Sequence, residues 1–81
     1  MATQQDRFDM LDDEALARYL VGETERRRER LVIEQRGGMW IAETYEEGGL
    51  SSGRSVMLGA GGSDRRTAML ALARKFDANR S

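Results

Sequence analysis

The chain has 81 residues, a formal net charge of −1, and neither cysteine, histidine nor proline. That length holds one domain, residues 1–81, built round one small core. The composition excludes a disulfide framework, thiol or imidazole catalysis and the usual zinc sites, and it makes the reducing cytoplasm the expected compartment.

Charge is unevenly spread. Residues 1–25 carry two bases and seven acids (2 − 7 = −5), and the remainder carry eleven bases and seven acids (11 − 7 = +4). Twelve of the thirteen bases are arginine, a residue that suits bidentate contacts to phosphate or carboxylate but that also rises with genomic GC content. No apolar run approaches membrane-spanning length, and residues 1–7 lack the basic and apolar regions of a signal peptide.

The first predicted helix begins near Asp9 or Asp12, either of which can cap it. Phe8, Leu11, Ala15, Leu16, Tyr19 and Leu20 form its apolar face at helical spacing. Gly22 ends this helix, or the helix runs on through Glu23 and Glu25 into the arginines. Met10, Ala17 and Val21 make a thinner stripe opposite, either ordinary surface or a self-association face.

Two predicted strands follow, Leu31 to Arg36 and Met39 to Tyr45. The glycines between them suit a primed turn, whose central residues need positive φ. That turn sets Arg36 opposite Met39, Glu34 opposite Ile41 and Val32 opposite Glu43. On the other face Gln35 meets Trp40, Ile33 meets Ala42 and Leu31 meets Thr44. Leu31, Ile33, Trp40 and Ala42 are the expected core face, with Trp40 as its largest anchor. A third strand, Arg54 to Leu58, is reached through a loop rich in glycine and serine. Gly59-Ala60-Gly61-Gly62 is expected to break it, with Ser63 capping a second helix and Asp64 in that helix's first turn. Ala68, Met69, Leu72, Ala73 and Phe76 share one arc of this helix. The expected fold is α+β, in the order α-β-β-β-α: a three-stranded antiparallel meander with both helices on one face.

The residues suggest binding rather than catalysis. No carboxylate pair is set apart by apolar surroundings, and Lys75 lies on a predicted helix as a solvated side chain. No catalytic residue, metal or cofactor is expected. The Gly59–Ser63 run lacks both the third glycine of a dinucleotide fingerprint and the Lys-Ser/Thr end of a P-loop. It reads as a strand-to-helix turn. Arg26, Arg27, Arg28 and Arg30 form a candidate basic patch, extended by Arg54, Arg65 and Arg66. Its bland counterpart is a solvated helix end paired with Glu23, Glu25 and Glu29. The core needs one sheet face and one stripe of each helix, so the candidate partner-binding surface is what remains: Met39, Ile41, Glu43, Tyr45, Glu46, Glu47, Leu50 and Arg54.

Two resemblances bear on function. Gly59-Ala60-Gly61-Gly62-Ser63-Asp64-Arg65-Arg66-Thr67-Ala68, within the order α-β-β-β-α, resembles the turn and helix start of double-stranded-RNA-binding domains. It implies that Arg65 and Arg66 approach phosphates. The acidic head, the hairpin carrying Gly38-Met39-Trp40-Ile41-Ala42 and the helix containing Ala68-Met69-Leu70-Ala71-Leu72-Ala73 are similar to small phage and mobile-element proteins, the anti-CRISPR inhibitors among them. That likeness implies a non-enzymatic inhibitor, monomer or homodimer, that contacts a host protein or ribonucleoprotein defence complex. It is the leading expectation, ahead of a nucleic-acid-binding module and a structural homodimer.

Overall fold

The computed structural model describes residues 7–46 and 56–79. A 3-10 turn, Arg7–Met10, leads into helix α1, Asp13–Arg27. Strands β1 (Glu29–Arg36), β2 (Met39–Glu46) and β3 (Val56–Gly62) follow, then helix α2, Arg65–Ala78. The strands form one antiparallel sheet in the order β1-β2-β3. The architecture is the expected α+β meander flanked by two helices.

The hairpin register is the one read from the sequence, from Arg36 opposite Met39 to Leu31 opposite Thr44. Gly37 and Gly38 both take positive φ, 55° and 84°, where a side chain would be strained. Side chains alternate between faces, so Leu31, Ile33, Trp40, Ala42, Leu58 and Ala60 turn towards the helices and pack against the core. That core contains Leu16 and Leu20 of α1 and Ala68, Met69, Leu72, Ala73 and Phe76 of α2, with Phe8 closing it from the 3-10 turn.

Asp12 is the cap of α1; its carboxylate accepts from the Ala15 N–H at 2.8 Å. The helix passes through Gly22 and stops at Arg28, which adopts a left-handed conformation (φ 58°) and donates its N–H to the carbonyls of Glu25 and Thr24. β1 starts at the next residue. The helices run parallel, since Arg66 reaches Asp13 at one end and Arg27 lies over Phe76 at the other.

Three expectations are corrected. The first concerns Gly59 to Gly62, which continue β3 instead of breaking it, paired with Glu43, Ala42, Ile41 and Trp40. Glycine is needed for proximity here: a Cβ on Gly62 would fall 2.7 Å from the Ala68 amide nitrogen, so the bare backbone is what lets α2 start against the strand. The second is the cap of α2. Asp64, not Ser63, holds that position, its carboxylate accepting from the Thr67 N–H at 2.7 Å. The shift follows from the first correction, because a longer strand moves the helix start one residue on. The third is Trp40, which is only half-buried at the core's rim. Phe8 and Phe76 are the large, fully enclosed rings.

Candidate functional site: the open face of the sheet

Both described helices sit on one side of the sheet, so among the described residues the other side carries no helix. Strand alternation places Arg30, Val32, Glu34 and Arg36 of β1 on that open face, with Met39, Ile41, Glu43 and Tyr45 of β2. Opposite these on β3 lie Gly61, Gly59 and Val56. Met57 is the extra residue of a bulge between the Thr44–Leu58 and Tyr45–Val56 pairs. It too is exposed.

The face has a polar centre and an apolar surround. Glu43 accepts from the Tyr45 hydroxyl at 2.6 Å and from the Arg36 guanidinium at 2.7 Å. Arg36 also pairs with Glu34. The Tyr45 hydroxyl, then Arg36, hold the Glu43 carboxyl below its ordinary range. Arg36 in turn is held firmly protonated by Glu43 first and Glu34 second. Round this network lie Met39, 49% exposed, and Val56, 50% exposed, with Val32 and Ile41 half-buried. The glycines of β3 shape the surface. A Cβ on Gly61 would touch Ile41 Cδ1 and Met39 Cε, both at 3.5 Å, and one on Gly59 would touch Glu43 Cγ at 3.5 Å. With those side chains missing, Met39, Ile41 and Glu43 of β2 occupy the space beside the β3 backbone.

Of the proposed partner-binding residues, Met39, Ile41, Glu43 and Tyr45 are therefore brought together on one face. Tyr45 is largely enclosed, at 9% exposure, and its hydroxyl bonds Glu43. Glu46 is exposed at the end of β2. Glu47, Leu50 and Arg54 lie outside the described residues. Val32, Val56, Gly59 and Gly61 join the site without having been singled out in the sequence. Period-two alternation along β1 yields Val32, and the same alternation carried along β3 to residue 61 would have found Gly59 and Gly61; Val56 reaches this face only through the bulge at Met57, which alternation does not signal.

The arginines do not assemble into one patch. Arg26, Arg27 and Arg28 are at the C-terminal end of α1, whereas Arg65 and Arg66 are at the N-terminal end of α2. In parallel helices those ends stand apart by roughly 20 Å, the rise of one helix. Three of these guanidinium groups are also occupied. Arg26 grips both oxygens of the buried Glu23 at 2.7 Å, and Arg27 approaches Glu23 at 3.8 Å while lying 4.7 Å from the Phe76 ring centroid. Arg66 bonds Asp13 at 2.8 Å and the carbonyls of Leu11 and Asp9 at 2.6 and 3.2 Å. Arg74 pairs with Asp9 and Arg7 with Asp77. Much of the acid-rich early sequence thus pairs with α2, and the charge asymmetry of the chain is partly consumed internally. Arg30 and Arg65 make no ion pair among the described residues.

No group of three or more acidic side chains that could hold a metal occurs among the described residues. No helix there is long and apolar enough to cross a membrane. Comparison with protein-family models, curated proteins and solved structures finds no match.

Proposed function

We propose that this chain is a non-enzymatic binding protein that docks on another protein through the open face of its sheet. The partner fits the class expected of a small phage-type inhibitor: a protein surface of a nucleic-acid-targeting defence complex in the host cytoplasm. The observation that carries the reading is the composition of that face. Apolar Met39, Val56, Val32 and Ile41 surround the paired Glu43, Arg36 and Glu34, so contact over this centre covers apolar area without stranding those ions.

A second reading, a nucleic-acid-binding module, draws on the order α-β-β-β-α with both helices on one face, the arrangement implied by the double-stranded-RNA-binding resemblance. The internal pairing of Arg66 and the carboxylate of Asp64 beside it weigh against phosphate binding there.

The test is capture of the partner from host lysate, followed by Met39→Glu and Val56→Glu, both at exposed positions. Each variant should stay folded and lose capture by at least tenfold. A partner held equally well by both variants but lost on Arg65→Glu, or tight duplex-RNA binding with a steep salt dependence, would replace this reading with the second.

A further inference from the structure

Among the described residues β1 and β3 are the two edges of the sheet, and they differ. In an antiparallel ladder, successive residues aim their backbone groups alternately to the two sides. The two-residue Gly37-Gly38 turn makes Arg36 and Met39 a bonded pair. Arg30, Val32, Glu34 and Arg36 therefore bond β2, and Glu29, Leu31, Ile33 and Gln35 aim N–H and C=O at the outer edge. No hydrogen bond to the edge groups of Leu31, Ile33 or Gln35 occurs among the described residues. The β3 edge is guarded by comparison: Lys75 Nζ donates to the outward Gly59 carbonyl, and the bulge at Met57 distorts the strand. β1 is regular over eight residues and has no such guard among the described residues.

We infer that β1 pairs antiparallel with β1 of a second copy, about a two-fold axis through Val32. The side-chain chemistry selects this register. It sets Arg30 opposite Glu34 of the second copy twice, both on the open face, and Leu31 opposite Ile33 twice, both on the core face. Moving the axis to Ile33 sets Arg30 against Arg36 and Val32 against Glu34. Moving it to Leu31 sets Arg30 against Val32 and Glu29 against Ile33. Only the axis at Val32 matches charge with opposite charge and apolar with apolar. Arg30 has no ion pair among the described residues, and Glu34 uses only Oε2 on Arg36. Leu31 and Ile33 are half-buried, whereas Ala42 and Thr44 beside them on β2 are fully enclosed. The helical layer thus leaves apolar surface at the β1 edge, which the second copy covers. The pairing joins three strands from each copy into one sheet and sets two open faces side by side. It stands independently of the protein-docking reading.

The experiment is sedimentation equilibrium of the full chain from micromolar to millimolar concentration, with circular dichroism to check that each variant folds. A dimer is expected. Arg30→Glu alone and Glu34→Arg alone should each weaken it by about tenfold, because two attractive cross-strand pairs become repulsive. Both substitutions in one chain should restore it. Should a charge variant fail to fold, Gln35→Pro removes one edge N–H at an exposed position that does not bond β2, and it too should weaken the dimer. A monomer at every concentration, a dimer indifferent to the single changes, or a double variant as weak as the singles would overturn the proposal.

Discussion

Glu43 shows how much of the open face turns on single side chains. It is an acid in the middle of β2, where a bare carboxylate would repel most apolar partners. Tyr45 and Arg36 convert it into a satisfied acceptor. Its folded pKa is lowered, so the stability it contributes is fully present above the ordinary carboxylate value of about 4.3 and is lost as pH falls through the lower folded value. Tyr45→Phe removes the larger of the two causes. The Glu43 carboxyl should then titrate at higher pH, nearer its ordinary value, in a carbon-13 NMR titration; identical titration in both proteins would show that the hydroxyl does not act on it. The alternation of β2 made the neighbourhood of Glu43 and Tyr45 legible in the sequence. The enclosure of Tyr45 was not legible, and neither was the half-exposure of Trp40. How far a side chain on either sheet face is covered depends on what lies over it in three dimensions, and here the closing ring on the core side is Phe8, from a 3-10 turn that precedes the helix.

At the scale of elements, the hairpin was fully legible because turn chemistry and hydrophobic alternation select the same register. β3 was not. A run of three glycines among four residues ordinarily signals a break, but here the missing side chains allow close approach, to α2 at Gly62 and to Met39 and Ile41 at Gly61. The consequence is testable by pairs of substitutions. Gly62→Ala forces a methyl against the first turn of α2 and should cost about 1–3 kcal/mol, the usual range for overpacking. Asp64→Ala removes the cap and should lower the urea midpoint, whereas Ser63→Ala should leave it unchanged. Equal effects at residues 63 and 64 would contradict the capping assignment. The cap carries an acid dependence of the same sign as Glu43: the Thr67 N–H lowers the Asp64 pKa, so that contribution is also lost as pH falls.

Across the whole molecule, the fold class followed from the order of patterns, while the fate of the charges did not. Arginines that read as a candidate patch are spread over both ends of the helical layer. Arg7–Asp77, Arg74–Asp9 and Arg66–Asp13 fasten the 3-10 turn and the start of α1 along α2. Linear sequence shows that opposite charges exist, but not that residues about 70 positions apart will meet. Each such pair is partly exposed and individually weak. Together they should respond to salt, which at about 1 M shrinks the screening length to roughly 3 Å. Amide exchange at residues 7–11 should then accelerate more than exchange in α2, and Arg66→Ala should reproduce the effect at low salt. Uniform protection in both regions under both conditions would show that the Phe8 anchor alone holds the segment.

The attachment of the 3-10 turn to α2 also bears on how the chain matures during synthesis. Among the described residues, five of the nine in the buried core cluster belong to α2. Phe8 emerges from the ribosome long before the helix that it packs against exists. The hairpin and α1 must therefore wait, with apolar faces uncovered, until α2 has been translated and has cleared the exit tunnel. Folding is then a single late event, and any nascent chain that stalls before α2 is a natural client for chaperones and proteases.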